Sequence, residues 1–354
     1  MPRNWVNWAI AQIEADFQRS ADTHLIKLDL PHLVDIDIYL KDESTHPTGS
    51  LKHRLARSLF LYSLCNGWIR EGAPIIESSS GSTAISEAYF ARLLGLPFIA
   101  VIPKSTAQKK IDQIEFYGGR CHLVEPADIY TESARLAEEL NGHYMDQFTY
   151  AERATDWRGN NNIADSIFRQ MKHERFPVPS HIVMSPGTGG TSATIGRYLR
   201  YQKVDTRLCV VDPDNSVFYD YFHSLDKSLT SNACSRIEGI GRPRVEPSFI
   251  PGVVDEMRQI PDAASIATVL WLEQLIGRKT GASTGTNLYG VLQLADEMRR
   301  KGERGSIVTL LCDSGERYLD SYYNPQWVAE KIGDVAPYLA QLERFSATGE
   351  LEAL

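Results

Sequence analysis

Three loops gather residue types that could do chemistry. In Pro186-Gly187-Thr188-Gly189-Gly190-Thr191, glycines and hydroxyls stand between a short apolar run and a stretch with helical spacing. Glycine lets the backbone approach a ligand closely. N–H groups at a helix start carry partial positive charge, so this loop reads as a phosphate cradle. A Walker loop would end in Gly-Lys-Ser/Thr, which is missing here. A dinucleotide fingerprint would want a third glycine where Ser192 stands. Asp212 closes the next strand at the distance of a ribose contact, which keeps a nicotinamide-dependent oxidoreductase open. The second loop, Glu77-Ser78-Ser79-Ser80-Gly81-Ser82-Thr83, carries more hydroxyls than one N-cap needs and suits a carboxylate ligand. The third is His46-Pro47-Thr48-Gly49-Ser50-Leu51-Lys52-His53-Arg54. A turn and N-cap there put Lys52 in a first helical turn, where the dipole disfavours its charge. A partly buried lysine so placed is a better amine nucleophile or base.

The elements that must position these loops follow from the apolar pattern. Short apolar runs at 73–77, 97–103, 121–125, 143–148, 181–185 and 207–212 read as strands. Helical spacing at 83–94, 106–117, 130–140 and 191–200 falls between them. Alternation of fully apolar strands with helices predicts parallel sheets covered on both faces, in two α/β lobes with a cleft between them. The expected division is a smaller lobe at 45–155 and a larger one made of 1–44 and 156–354. Ligands of such sheets bind beyond the carboxyl ends of the strands, so the loops there matter most. The Trp5, Ala9, Ile13, Phe17 spacing makes the N-terminus an amphipathic helix with a non-basic polar face, suited to packing or oligomer contact and not to a membrane surface.

Composition narrows the classes. The chain has 354 residues, with Lys+Arg 37 against Asp+Glu 45 and a net charge of −8. That balance offers no general attraction to nucleic acid. No apolar stretch is long enough for a membrane span, and the N-terminus does not read as a secretory signal. Cys65, Cys121, Cys209, Cys234 and Cys312 are scattered, with neither disulfide nor zinc spacing, which predicts a cytoplasmic protein without a metal site.

Taken in order from about residue 40 to 320, these motifs resemble the fold type II pyridoxal-phosphate enzymes of the cysteine synthase and cystathionine β-synthase group. Pro47-Thr48-Gly49-Ser50-Leu51-Lys52 is similar to the family's Schiff-base lysine motif, Ser79-Ser80-Gly81-Ser82-Thr83 to its substrate-carboxylate loop, and Gly187-Thr188-Gly189-Gly190-Thr191 to its phosphate loop. Asp313-Ser314-Gly315-Glu316-Arg317-Tyr318 resembles the segment whose serine bonds the pyridine nitrogen, and Asp146-Gln147-Phe148 the stretch whose glutamine helps hold the substrate. The sequence departs from the family at Ser82, where an asparagine usually bonds the cofactor's phenolic oxygen, and also at His53, Ala84 and Cys312. Ser82 and the Asp156-Trp157-Arg158-Gly159-Asn160-Asn161-Asn162 run resemble most the single-domain L-cysteine desulfhydrase branch.

The resemblance implies pyridoxal 5'-phosphate as cofactor and an amino-acid substrate, L-cysteine or a related β-substituted alanine, with a homodimer as the assembly. Lys52 is the implied catalytic residue. Lys52, Ser82, Gly187, Thr188, Gly189, Gly190, Thr191 and Ser314 are the implied cofactor contacts. Ser79, Ser80, Gly81, Thr83 and Gln147 are the implied substrate contacts. A neutral Ser314 at the ring nitrogen favours expulsion of a β-leaving group over transamination. Asp313 next to it is expected to face solvent or pair with Arg317. The activity so implied is α,β-elimination from L-cysteine to hydrogen sulfide, pyruvate and ammonia. The alternatives are a β-replacement synthase, the nicotinamide oxidoreductase, and a binding protein without turnover. Gly239–Pro243 and Gly281–Gly285 are expected to approach the site or hinge over it.

Overall fold

The computed structural model describes residues 3–19, 22–159 and 162–352. In chain order the elements are α1 (Arg3–Gln18), β1 (His24–Lys27), β2 (Ile36–Asp42), α2 (Lys52–Cys65), β3 (Ile75–Glu77), α3 (Ser82–Leu93), β4 (Phe98–Pro103), α4 (Gln108–Phe116), β5 (Arg120–Val124), α5 (Ile129–Glu139), β6 (His143–Tyr144) and α6 (Gln147–Ala154). There follow α7 (Ile163–Met171), β7 (His181–Met184), α8 (Gly190–Gln202), β8 (Arg207–Pro213), α9 (Phe218–Ser224), β9 (Glu256–Ile260), α10 (Asp262–Ile276), α11 (Ala282–Lys301), β10 (Gly305–Leu311), α12 (Pro325–Lys331) and α13 (Ala336–Thr348). Asn160 and Asn161 of the Asp156–Asn162 run lie outside the described residues.

The chain divides into two compact units: Met1–Asp22 with His46–Asp156, and Thr23–Thr45 with Trp157–Leu354. The sheet of the first unit runs β5-β4-β3-β6, and every pairing in it is parallel. Its central strand β3 is Ile-Ile-Glu, fully buried, with α2 and α3 among the helices of the same core: Leu59, Phe60, Ala84 and Phe90 pack there with Ile75 and Phe98. The sheet of the second unit runs β1-β2-β10-β7-β8-β9, parallel except for the antiparallel edge strand β1. Helices α10, α11 and α13 cover it with Trp271, Leu272, Leu288, Leu292 and Leu342. Both sheets are thus of the parallel, helix-covered kind the alternation predicts. No described helix is long and apolar enough to cross a membrane.

Two expectations shift. Residues 1–22 group with the first unit, whereas 1–44 was assigned whole to the larger lobe. The cause is the apolar stripe of α1: Ala9 and Ile13 are fully buried among Leu59, Phe60 and Phe90. Glu14 also meets Arg57 at 2.9 Å, and the Tyr89 hydroxyl donates to Asp16 at 2.9 Å. Second, the expected strand 143–148 stops at Tyr144. Asp146, at φ 46°, turns the chain and accepts the Thr149 N–H, which starts α6 at Gln147.

Candidate active site

In the first unit the third loop ends where α2 begins, and Lys52 is the first residue of that helix, half-buried. Gly49 turns the chain at φ 73°, and the Ser50 hydroxyl accepts the Lys52 N–H at 3.3 Å. The loop is pinned to α3 by Thr48, whose hydroxyl lies 2.9 Å from Ser86 Oγ and 3.1 Å from His53 Nδ1. His53 is buried between His46 and Phe90, so its place is set by ring packing. The backbone at Lys52 is therefore held against the helix that carries the hydroxyl loop.

That hydroxyl loop leads into α3, whose N-cap is Gly81 and has no side-chain cap. Serine capping does not account for the surplus hydroxyls. Within the loop, Ser79 accepts the Gly81 N–H at 3.3 Å and the Ser78 hydroxyl donates to Glu77. Uncapped N–H groups at a helix start attract anions, and a carboxylate fits them. Thr83 and Gln147, 64 residues apart, meet here: the Thr83 hydroxyl donates to Gln147 Oε1 at 2.8 Å, both side chains being buried. Gln147 stands at the start of α6 and donates its own N–H to Glu77 Oε2 at 3.1 Å. Glu77 also accepts the Ser78 N–H at 2.7 Å and the Ser78 hydroxyl at 3.1 Å. One carboxyl thus ties the first residue of the loop to the helix that brings in Gln147. Ser79, Ser80, Gly81 and Ser82 are half-buried along the same turn.

In the second unit the glycine loop follows β7 and opens α8, and Ser314 follows β10, the parallel neighbour of β7. Both therefore lie at the carboxyl edge of one sheet, where ligands of such sheets bind. The N-cap of α8 is Gly189, again without a side-chain cap, and the Thr188 hydroxyl accepts the Gly190 N–H at 3.2 Å. Gly189 has φ 94°, and a Cβ there would lie 2.4 Å from Phe249 Cα and 2.6 Å from the Ser248 carbonyl. No other residue fits that turn, and the turn is what points successive N–H groups off the helix end. This is the geometry a phosphate requires. Gly241 donates its N–H to the Pro186 carbonyl at 2.9 Å, so Gly239–Pro243 does pack on this loop.

Three readings of the second unit change. Asp313 does not face solvent: it is buried, and the Tyr318 hydroxyl donates to its Oδ2 at 2.6 Å. The close approach of Gly281 behind it leaves no room for a Cβ, which would sit 1.9 Å from Asp313 Oδ1. Ser314 beside it caps the next helical turn, accepting the Glu316 N–H at 3.4 Å. The segment Gly281–Gly285 is no hinge loop, since α11 begins at Ala282. Gly285 is there for packing: a Cβ would meet the Ser265 carbonyl of α10 at 2.0 Å. Asp212, the candidate ribose contact, is fully buried and spends Oδ2 on the Tyr219 N–H at 2.9 Å. Burial pushes its carboxyl up to about 7. A buried helix-capping aspartate is not placed to bind a ribose, and the oxidoreductase reading loses its second residue. Cys312 is a buried thiol 3.3 Å from Asn287 Nδ2. Among the described residues no cluster of His, Cys, Asp and Glu could hold a metal.

Comparison with known proteins identifies the family. Residues 18–313 match the family described as pyridoxal-phosphate dependent enzyme. A protein of Mycobacterium tuberculosis named L-cysteine desulfhydrase Cds1 is 58% identical over 350 residues, 98% of this chain and 95% of that one. A cysteine synthase of Aquifex aeolicus is 27% identical over 88% of this chain and 95% of its own length. Among solved structures, O-ureido-L-serine synthase superposes with a TM-score of 0.75 at 23% identity, covering 94% of this chain and 98% of that one. A hydrogen sulfide-producing enzyme gives 0.76 at 24% identity, covering 88% and 91%. At those identities the two structures share the fold.

Proposed function

The chain belongs to the pyridoxal-phosphate dependent enzymes, and from that premise we propose that it catalyses α,β-elimination of L-cysteine, giving hydrogen sulfide, pyruvate and ammonia. The observation that carries this reading is 58% identity, over 98% of the chain, to a protein named L-cysteine desulfhydrase. The residues present fit the cofactor: an uncapped helix end behind a φ-positive glycine suits its phosphate, and Ser314 on the neighbouring strand end suits its ring nitrogen.

Lys52 holds the cofactor covalently through Nζ. The N–H groups and hydroxyls of Gly187, Thr188, Gly189, Gly190 and Thr191 hold its phosphate. Ser314 would take the pyridine nitrogen and Ser82 the phenolic oxygen. When bound, pyridoxal phosphate supplies an electron sink for the pair left on the substrate's α-carbon. Ser79, Ser80, Gly81 and Thr83 bind the substrate carboxylate at the start of α3, with Gln147 bridged to Thr83. This fixes the α-carbon so that one face meets Lys52. The amine of Lys52 would serve as the base that takes the α-proton. A neutral hydroxyl at the ring nitrogen leaves the sink weak, which favours loss of the β-sulfur over protonation elsewhere. Water then completes the balance to pyruvate and ammonia.

A β-replacement synthase is the second reading, favoured by the likeness to cysteine synthases over 88% of the chain. Product analysis separates the two. Elimination predicts sulfide and pyruvate in equal amounts from L-cysteine alone. Turnover only with an added nucleophile would refute it in favour of replacement. We further place the protein in the cytoplasm as a homodimer; five free cysteines suit a reducing compartment.

A further inference from the structure

Two carboxyl groups lie fully buried beneath the hydroxyl loop. Glu77 ends β3 and Glu87 sits one turn below Thr83 on α3, and neither side chain is exposed at all. Their hydrogen bonding is unequal. Glu77 accepts three donors, from Ser78 N, Ser78 Oγ and Gln147 N. Neither oxygen of Glu87 accepts any N–H or hydroxyl donor. The charged group that acts on the Glu87 carboxyl is Glu77, which ends the strand β3 while Glu87 lies on α3. The other titratable groups that act on Glu77 are Asp146, of like charge, and Tyr144 across the sheet, whose hydroxyl lies 2.7 Å from Ser78 Oγ. Two ionised carboxylates cannot share such a site, because burial and mutual repulsion both oppose the second charge. The saturated acceptor Glu77 is the anion, and Glu87 is the acid that donates to it.

We propose that Glu87 and Glu77 form a one-proton carboxyl pair that positions the substrate-carboxylate loop, so that losing the shared proton loosens the loop and weakens amino-acid binding at alkaline pH. The inference rests on the reading of that loop as the substrate-carboxylate site. Glu77 holds both Ser78 and Gln147, and Gln147 holds Thr83, so the pair is tied to Ser78, Gln147 and Thr83 together. With the proton present, Glu77 is neutralised in part by a short donor and stays in place. Without it, two buried anions repel, and the cheapest relief is to move Glu77 towards water, taking Ser78 and Gln147 with it. Burial and the neighbouring charge raise both groups, Glu77 to about 7 and Glu87 well above the usual carboxylate range, so the pair keeps a proton where ordinary carboxyl groups have lost theirs.

Glu87→Gln tests it on the holoenzyme, because the amide keeps an N–H donor to Glu77 but cannot lose it. The ratio of wild-type to variant KM for L-cysteine cancels the titration of cysteine itself. It is expected near one at pH 6.5 and about tenfold higher by pH 9, with kcat unchanged in both. Glu87→Leu removes both the donor and the second charge, so its KM should lack the alkaline rise of wild type, its ratio to Glu87→Gln staying flat with pH. A second readout needs no turnover. Protons held by the folded pair above the pH at which the unfolded chain releases them cost stability as pH rises. The melting temperature of wild type should therefore fall more steeply from pH 5 to 9 than that of Glu87→Gln. A KM ratio flat across the range, or parallel melting profiles, would overturn the proposal. If the loop does not bind substrate carboxylate, wild-type KM will not follow the pair, while the melting profiles will still diverge.

Discussion

Thr83→Val probes the substrate loop with almost no change of shape. Valine replaces the hydroxyl by a methyl, so the buried packing of α3 is kept. What is lost is the 2.8 Å bond to Gln147 Oε1. Both groups are buried, so water cannot replace the donor. An unsatisfied buried acceptor costs about 1–3 kcal/mol. Gln147 relieves that cost by leaving the loop, and the substrate carboxylate loses the two groups together. If the whole penalty appears in binding, KM for L-cysteine rises about 5- to 150-fold with kcat changed far less. Sulfide release measures KM, and the spectral shift on adding L-alanine, which has no leaving group, measures binding alone. Gln147→Leu should give a similar rise, and the double variant should cost much less than the sum, because both substitutions break one bond. A KM within twofold of wild type, or additive effects in the double variant, would refute the reasoning.

Two further outcomes follow from the second unit. Gly189→Ala forces a Cβ to within 2.4 Å of Phe249 Cα at φ 94°, so the loop must open; cofactor affinity, measured by reconstitution of the absorbance band, should fall more than about tenfold. Asp212→Asn tests the buried cap. Its folded carboxyl titrates near 7, above the ordinary value of about 4, so its share of stability is full below pH 4 and is lost as pH rises to 7. The variant should gain on wild type by several degrees of melting temperature between pH 5 and pH 8, and equal slopes would contradict this.

That the Gly187 loop, the hydroxyl loop and Lys52 stand at helix starts was legible because glycine and hydroxyl residues mark such junctions, a signal carried by adjacent residues. The parallel sheets were legible from apolar runs for the same reason. What escaped were features set by distant partners. Strand β2 alternates aspartate and isoleucine yet is buried throughout, because β1 and β10 flank it and Asp37 pairs with Lys27 at 3.0 Å. The apolar Tyr144-Met145 before Gln147 hides a helix start, since the left-handed turn at Asp146 is what ends the strand. Asp313 reads as a surface aspartate until Tyr318 and Gly281 enclose it. Glu87 lies in an apolar helical stretch, Ala-Ile-Ser-Glu-Ala-Tyr-Phe, where a charged residue on the core face was the one available sign of its role.

The central claim is the covalent bond at one amine, and reduction tests it most directly. Borohydride treatment of the yellow holoenzyme, followed by peptide mass mapping, should place one pyridoxyl group on Lys52, and Lys52→Ala should lose both that label and sulfide release. A pyridoxyl group fixed on another lysine, or undiminished turnover in Lys52→Ala, would contradict the account.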